Sequence, residues 1–266
     1  MRSRSTVNDA VRRWLLLQQD LGGDEVIFDV PVDVTASLER TFVAPPAADP
    51  APTPSGEWRK GAPPIPGPGM TVTSAAGTGA RDWRSLDDIA AVVRDCPKCP
   101  LCKTRTHAVP GEGNPGAGLF LVGEGPGESE DLSGRPFVGR AGELLDKMLA
   151  AIEIARADAY IANVVKCRPP KNRVPLPDER EACMPYLHRQ IELVRPRVLV
   201  ALGGTAAETL LGVKMSLGQL RLKVHQWNGI PLVVTYHPAA LLRNPNWKRP
   251  AWDDVRIARQ LLDRHT

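Results

Sequence analysis

Four short, mostly branched apolar segments alternate with helical segments from residue 86 onward, and this alternation constrains the fold more than any other feature. Segments of this length and composition are typical of strands that are buried on both faces of a parallel sheet. Their alternation with helices predicts right-handed crossovers that cover both faces. We therefore expect an α/β fold with three αβα layers and a short, central, mainly parallel four-stranded sheet. The predicted strands are Leu119–Gly123, Tyr160–Val165, Val198–Leu202 and Leu232–Tyr236, and the predicted helices are 141–152, 177–194, 205–211 and 252–264.

The chain before residue 86 has the composition of an extension. Residues 44–69 contain nine Pro and four Gly, a density that the interior of a helix or strand does not tolerate. We interpret 44–85 as an extended linker and 86–266 as the main domain. Apolar residues at near-helical spacing in 1–43 predict one short helix in a mostly disordered segment. That helix either docks on the main domain or binds a protein partner.

Composition excludes some classes of protein. The apolar runs are far too short to span a bilayer, and the N-terminus lacks the apolar segment of a signal peptide. We therefore expect a cytoplasmic protein with no membrane partner. The chain has five Cys, and clustered thiols in a reducing compartment bind metal more often than they form disulfides. The net charge of +4 permits a nucleic-acid partner without requiring one.

Each predicted strand is followed by a loop of unusual composition. Ligands of open parallel sheets bind outside the carboxyl ends of the strands, so the four loops are expected to meet at one site. Each loop alone is a weak signal. Glu124 also suits a turn with solvated acids, and His237 also suits a structural histidine. The loops are 123–128, 163–170, 203–205 and 237–240.

The cysteines have a spacing that suits a metal centre. Cys96 and Cys99 form a close pair before the first strand, while Cys167 and Cys183 follow the second strand. Four such thiolates can hold Zn²⁺ or an iron–sulfur cluster, and the spacing does not separate the two. Cys102 makes a competing pair with Cys99. Scattered buried thiols are the alternative.

Five blocks in the main domain together resemble the family 4 uracil-DNA glycosylases, the iron–sulfur type within the uracil-DNA glycosylase superfamily. They follow the order of the family over about 170 residues, and residues 1–85 lie outside the resemblance. The blocks are GEGN at 111–114, GEGPGE at 123–128, GRPFVGRAG at 134–142, NVVKCRPPKNR at 163–173 and HPAALLRNP at 237–245.

The resemblance implies a DNA repair enzyme with the uracil-DNA glycosylase-like fold. Such an enzyme flips uracil out of DNA and hydrolyses its N-glycosidic bond, which leaves an abasic site for base excision repair. The resemblance also implies a [4Fe–4S] cluster on Cys96, Cys99, Cys167 and Cys183, with Zn²⁺ the less favoured occupant and Cys102 not a ligand. The expected partner is uracil-containing DNA, double- or single-stranded. We further expect a monomer that is associated with the nucleoid.

The resemblance also implies roles for individual residues. Phe137 is expected to stack on the flipped base, and the amide of Asn163 to recognise the N3–H and O4 of uracil. His237 is expected to stabilise the developing anion near O2. Glu124 is expected to position or activate water, and Glu130 to crowd the C5 position and so exclude the methyl group of thymine.

Other residues are assigned to branch identity and to DNA. Gly125 stands where other branches of the superfamily have Asp or Gln, and the segment 170–175 lacks the His with which one branch crosslinks to DNA. Leu241 and Leu242 resemble a loop that wedges into the base stack, with Arg243 and Lys248 on phosphates.

Two other functions remain open at this point. The first is a non-catalytic iron–sulfur protein that binds DNA or senses redox state on the same fold. The second is a hydrolase of small nucleosides that is clipped by zinc.

Overall fold

A computed structural model describes residues 55–74 and 82–264. These residues form a seven-stranded sheet in the order β1-β6-β7-β5-β3-β4-β2. The strands are β1 (Pro68–Val72), β2 (Glu112–Gly113), β3 (Leu119–Gly123), β4 (Ala159–Asn163), β5 (Val198–Leu202), β6 (Val224–Trp227) and β7 (Ile230–Thr235).

The helices cover both faces of this sheet. Four of them, α3, α4, α5 and α8, lie within a few residues of the predicted helices 141–152, 177–194, 205–211 and 252–264. The helices are α1 (Leu86–Arg94), α2 (Glu128–Ser133), α3 (Arg140–Ala151), α4 (Pro177–Val194), α5 (Gly204–Leu211), α6 (Leu217–Leu220), α7 (Pro238–Arg243) and α8 (Lys248–Arg264). Single 3₁₀ turns lie at Glu57–Arg59, Pro100–Lys103, Arg156–Asp158, Pro170–Asn172 and Pro245–Trp247.

The parallel centre of the sheet confirms the predicted fold class. β7, β5, β3 and β4 are neighbours in this order and run parallel, with Leu121 of β3 paired to Val200 of β5 and Ile161 of β4. Every residue of β3, β4 and β5 is buried, because helices pack on both faces. The carboxyl ends of these four strands therefore lie along one edge of the sheet.

Three further strands extend the predicted four. β2 pairs antiparallel with β4, β6 pairs antiparallel with β7, and β1 pairs parallel with β6. β6 and β7 are joined by Asn228-Gly229, which both have positive φ, at 48° and 80°. This is the two-residue turn that favours a tight hairpin.

Part of the predicted linker is folded against the main domain. Trp58 is only 3% exposed, and the carbonyl of Lys60 accepts a hydrogen bond from Arg256 Nη1 of α8 at 3.1 Å. β1 opens at Pro68 and lies at the edge of the sheet, where a residue without an N–H is tolerated. The linker interpretation is therefore wrong for residues 55–74. The predicted N-terminal helix lies outside the described residues.

Across the two described ranges, no helix combines the length and apolar character that crossing a membrane requires.

Candidate active site

The loops that follow β3, β4 and β7 line a pocket of about 320 Å³. The loop after β5 does not line it, but its Thr205 contacts the lining residue Glu124. Seven of the predicted site residues line this pocket, and they include residues from four of the five blocks of the resemblance. They are Glu124, Gly125, Glu130, Phe137, Asn163, His237 and Arg243. Asn172 and Arg173, which the sequence analysis did not assign, line it as well.

Asn163 ends β4 with its side chain buried in the wall of the pocket. It is 1% exposed, and its Oδ1 has no hydrogen-bond partner among the described residues. The neighbouring strand end must be Gly123, since a Cβ there would lie 2.3 Å from Asn163 Oδ1 and 2.6 Å from Phe137 Cζ. An unpaired buried acceptor costs about 1–3 kcal/mol. The pocket is therefore prepared for a ligand that brings a hydrogen-bond donor.

Lys166 holds the backbone of Asn163 through a hydrogen bond. It is 1% exposed, and its Nζ donates to the carbonyl of Asn163 at 2.9 Å and to Gln190 Oε1 at 2.7 Å. Gln190 in turn donates through Nε2 to the carbonyl of Pro110 at 2.7 Å. Burial lowers the pKa of Lys166 to about 7, and the thiols of Cys183 and Cys167 oppose this shift. Nothing in the local sequence pattern distinguishes this buried lysine from an exposed one, so the sequence predicts no role for Lys166.

Phe137 has an unusual backbone conformation that the surrounding residues hold. Its φ is 51°, in the left-handed region that costs a side chain about 1–3 kcal/mol. Arg156 donates to the carbonyls of Pro136 at 2.6 Å and Phe137 at 3.1 Å. Gly142 lets α3 approach, because a Cβ there would lie 1.9 Å from the carbonyl oxygen of Phe137. The Phe137 ring stacks beside the His237 ring, with centroids 5.5 Å apart.

The carboxylate of Glu130 also holds this loop. Its Oε1 accepts from the backbone N–H groups of Val138 at 2.9 Å and Gly139 at 3.0 Å, and its Oε2 accepts from Gly127 N at 3.1 Å. The last contact closes the first turn of α2. Arg156 therefore binds the carbonyls of the Phe137 loop, while Glu130 binds its amides. Glu130 lines the pocket and also fixes its shape.

His237 caps the N-terminus of α7 with a defined tautomer. Its Nδ1 accepts a hydrogen bond from Ala239 N at 3.2 Å, so Nε2 carries the proton. Burial lowers the pKa of His237 to about 4, the positive charge of Arg243 adds to this shift, and Glu130 opposes it. His237 is therefore neutral at physiological pH and presents an N–H donor to a ligand.

Glu124 follows β3 at the mouth of the pocket. Its Oε2 accepts a hydrogen bond from the hydroxyl of Thr205 at 2.6 Å. Thr205 lies in the first turn of α5, which begins directly after β5. A hydrogen bond from the segment after β5 thus fixes the direction of the carboxylate that follows β3. Gly125 is required next to it, since a Cβ there would lie 2.7 Å from Val165 Cγ2.

Only one of the two leucines of the predicted wedge is exposed. Leu241 is 1% exposed and belongs to the buried face of α7, so it does not reach the surface. Leu242 is 39% exposed, and Arg243 and Lys248 are exposed. Trp247, which the sequence analysis did not assign, is also 39% exposed beside them. The helical period explains the difference, because neighbouring residues of a helix face different directions.

The four cysteines that are predicted as ligands lie in one region. Cys96, Cys167 and Cys183 are buried and Cys99 is half-buried. Burial raises the pKa of Cys99 and Cys167, and raises that of Cys183 to about 12; charges on neighbouring thiols add to each rise. Cys102 is also half-buried.

Two donors point at the sulfurs of this group. The hydroxyl of Tyr186 donates to Cys96 Sγ at 3.1 Å, and Arg105 Nη1 donates to Cys167 Sγ at 3.0 Å. Within 55–74 and 82–264, however, no three or more His, Cys, Asp or Glu side chains are arranged so that they could hold a metal ion.

A larger cleft of about 850 Å³ lies elsewhere on the molecule. Arg84, Arg105, Glu112, Arg135 and Tyr160 are among its lining residues. None of the predicted site residues lines it. We therefore assign the candidate active site to the smaller pocket, where a buried unpaired acceptor and a neutral histidine converge.

Comparison with known proteins agrees with this assignment. The family description "Uracil DNA glycosylase superfamily" matches residues 110–256. A type-4 uracil-DNA glycosylase of Saccharolobus solfataricus is 47% identical over 187 residues, which cover 67% of this chain and 87% of the relative. One of Thermotoga maritima is 45% identical over 181 residues, which cover 66% of this chain and 94% of the relative.

A uracil-DNA glycosylase of another type is less similar to this chain. A type-5 uracil-DNA glycosylase of Thermus thermophilus is 34% identical over 149 residues, which cover 48% of this chain and 68% of the relative. The identity to the type-4 proteins is higher and extends over more of the chain. The chain therefore belongs to the uracil DNA glycosylase superfamily and, within it, to the type-4 uracil-DNA glycosylases.

Proposed function

We propose that this chain removes uracil from DNA by hydrolysis of the bond between uracil N1 and C1′ of the deoxyribose, which leaves an abasic site. The observation that carries the proposal is the buried, unpaired Oδ1 of Asn163 in a pocket that also holds Phe137 and a neutral His237. Membership of the type-4 uracil-DNA glycosylases supports it.

Recognition of uracil is assigned to Phe137 and Asn163. The extruded base stacks on the Phe137 ring, which is fixed before the base arrives. Asn163 Oδ1 accepts the N3–H of uracil, and its amide nitrogen donates to O4. Cytosine offers the opposite pattern, an acceptor at N3 and a donor at N4. Asn163 held in one orientation therefore selects uracil.

Departure of the base is assigned to His237. As the C1′–N1 bond breaks, its electron pair moves onto the uracil ring, and negative charge develops on O2. The Nε2–H of His237 donates to that oxygen and stabilises the charge. A neutral donor suffices, because the released uracil anion is stabilised by the hydrogen bond without a proton transfer.

The sugar and the attacking water are assigned to Glu124. Positive charge develops on the deoxyribose while the bond breaks, and a carboxylate nearby stabilises it. The oxygen of water then bonds to C1′, and the proton of that water leaves through Glu124. The hydrogen bond from Thr205 holds the carboxylate in one direction throughout.

Exclusion of thymine is assigned to Glu130 and Gly125. Three backbone N–H groups hold the Glu130 carboxylate in place, so it does not swing aside for a methyl group at C5. Gly125 keeps the backbone between Glu124 and α2 close to Val165. The pocket then matches the planar outline of uracil.

Binding of the DNA strand is assigned to the exposed residues after His237. Leu242 fills the space that the extruded base leaves, while Arg243 and Lys248 contact phosphates. Leu241 packs inside α7 and supports this surface. Because its substrate is DNA, the enzyme is proposed to act in the cytoplasm, in association with the nucleoid.

The group of Cys96, Cys99, Cys167 and Cys183 is proposed to hold a [4Fe–4S] cluster, which acts as a structural clip. The four thiols are grouped and three of them are buried. Similarity to the type-4 uracil-DNA glycosylases supports a cluster at this group. The donors Tyr186 and Arg105 offset negative charge on the sulfurs.

The function is tested with a single-uracil oligonucleotide and the purified full chain. We expect release of free uracil, detected directly, and cleavage of the product strand by alkali at the former uracil position. Matched oligonucleotides with thymine or cytosine at that position are expected to stay intact. Binding of DNA without release of uracil would favour the non-catalytic alternative and overturn the proposal.

A further inference from the structure

A partly exposed aromatic stack in the segment that includes His237 and Arg243 has no part in the assignments above. The rings of Tyr236 and Trp247 are 4.8 Å apart between centroids, and their planes differ by 14°. Trp247 is nevertheless 39% exposed. Tyr236 directly precedes His237 in the chain, and Trp247 follows Arg243 by four residues, so both belong to the segment around two residues that line the pocket.

A buried ion pair fixes this stack. Arg221 lies over the Tyr236 ring, with its guanidinium carbon 4.4 Å from the ring centroid. The same guanidinium donates to both carboxylate oxygens of Asp254, at 2.7 and 2.9 Å, and to the carbonyl of Pro250 at 2.9 Å. Arg221 is 7% and Asp254 1% exposed. The aromatic surface is therefore held rigid from inside the domain.

The charge around the stack suits a polyanion. All residues from Leu242 to Arg249 are exposed, and this segment contains Arg243, Lys248 and Arg249 without any Asp or Glu. In the described part of the chain, none of these three cations has an ion-pair partner. A rigid aromatic face among unpaired cations is the arrangement by which proteins bind single strands of nucleic acid.

We infer that Trp247 is a stacking platform for a nucleobase of the substrate strand outside the pocket. The inference rests on the proposed function, because it takes DNA as the ligand. An unpaired base next to the extruded uracil stacks on the exposed face of Trp247, while Arg243, Lys248 and Arg249 neutralise the phosphates around it. The platform recognises no particular base, since each base has a π face. It favours substrates in which the bases around uracil are unpaired.

The test compares Trp247→Ala and Trp247→Phe with the control Leu222→Ala. Leu222 is apolar and 62% exposed, and it is next to Arg221 in sequence, but it has no ring. Binding to an undamaged, fluorescein-labelled single-stranded oligonucleotide is measured by anisotropy at several salt concentrations. We expect Trp247→Ala to weaken binding about 5- to 100-fold, and Trp247→Phe and Leu222→Ala to stay within about threefold of the wild type. The salt slope is expected to stay unchanged, because a lost stacking contact releases no counterions.

Steady-state excision from the single-uracil strand gives the second readout. Trp247→Ala is expected to raise KM and leave kcat close to wild type, because Trp247 does not touch the reacting atoms. Thermal unfolding of each variant shows whether the domain is intact. Unchanged binding by Trp247→Ala, equal losses in the Ala and Phe variants, or an equal loss in Leu222→Ala would each overturn the platform. A chain that bound DNA through Trp247 but released no uracil would refute the proposed function and keep the platform.

Discussion

His237 is neutral in the folded protein at physiological pH, and at the scale of single residues this neutrality affects how the stability of the fold responds to acid. Its pKa lies near 4 in the folded chain because the ring is buried, and the charge of Arg243 lowers it further. In the unfolded chain it returns to an ordinary value near 6.5. Between these two values the unfolded state binds a proton that the folded state does not, so folding weakens as the pH falls.

We therefore predict that part of the acid sensitivity of the fold disappears in His237→Gln. The melting temperature of the wild type should fall between pH 6.5 and pH 4 more steeply than that of the variant. Above pH 7 the two profiles should run parallel, since His237 is neutral in both states. Differential scanning calorimetry across pH measures this. Parallel profiles throughout would mean that His237 keeps an ordinary pKa in the folded protein.

At the scale of elements, the loop that carries Phe137 depends on Arg156. All the N–H groups of its guanidinium are used, on the carbonyls of Pro136 and Phe137 and on the carboxylates of Glu112 and Asp146. Arg135 also pairs with Glu112, at 2.8 Å, but in the described structure it contacts no carbonyl of the loop. Substitution of Arg156 therefore removes support of the loop and a partner of Glu112, whereas substitution of Arg135 removes only a partner of Glu112.

We predict that Arg156→Met lowers kcat/KM for uracil excision about 10- to 100-fold. The lost hydrogen bonds of a charged donor correspond to ~1.5–3 kcal/mol, and without them the positive φ of Phe137 is no longer held. Arg135→Met should stay within about threefold of wild type, because its side chain is mostly exposed. Equal effects of the two substitutions on kcat/KM would show that the loop does not depend on Arg156.

The strands differ in how well they can be predicted from the sequence. β3 and β5 have the predicted bounds because fully buried parallel strands are continuous apolar runs. β1 is not predictable from its sequence, because its residues, PGMTV, lie in a Pro-rich segment and pair as a strand with β6. The β6–β7 hairpin has a recognisable sequence signal in Asn228-Gly229, although the four predicted strands do not include β6.

The site residues also divide into those whose positions the sequence predicts and those whose contacts it does not reveal. The positions of Glu124, Asn163 and His237 follow from topology, because each lies at the last residue of a parallel strand or within two residues after it. The supporting contacts of Arg156 and Lys166 depend on the packing of distant segments, so no local pattern reveals them. Burial of Leu241 depends on which face of α7 meets the core.

At the scale of the whole molecule, residues 55–74 join the start of the described chain to its end. Trp58 is buried, and Arg59 pairs with Asp263 of α8 at 2.8 Å. We predict that deletion of residues 1–54 leaves thermal stability and excision close to wild type. Deletion of 1–74 should lower stability by about 2–4 kcal/mol, since burial of one large apolar side chain contributes ~1.5–3 kcal/mol and β1 is lost as well. Chemical denaturation of both truncated chains measures this, and equal stabilities would contradict the packing of 55–74.

The proposed cluster links segments about 70 residues apart, from Cys96 to Cys167. We predict that Cys183→Ser lowers iron and acid-labile sulfide content and the melting temperature together, because an open clip frees a long loop. Cys102→Ser is the matched control and should retain iron, sulfide and stability. Metal and sulfide analysis after anaerobic purification decides the point. Stoichiometric zinc without iron would contradict the cluster.

The central claim is that Asn163 reads uracil in this pocket, and its most direct test is the rate of uracil release by Asn163→Asp under single-turnover conditions. An ionised carboxylate loses the donor to O4 and places a charge in a dry site, so excision should fall at least about 100-fold. Asn172→Asp is the control, because Asn172 lines the same pocket but its Oδ1 already accepts from Arg168 Nε at 2.8 Å. That variant should stay within about tenfold of wild type. Excision by Asn163→Asp at close to the wild-type rate would contradict the assignment of this pocket.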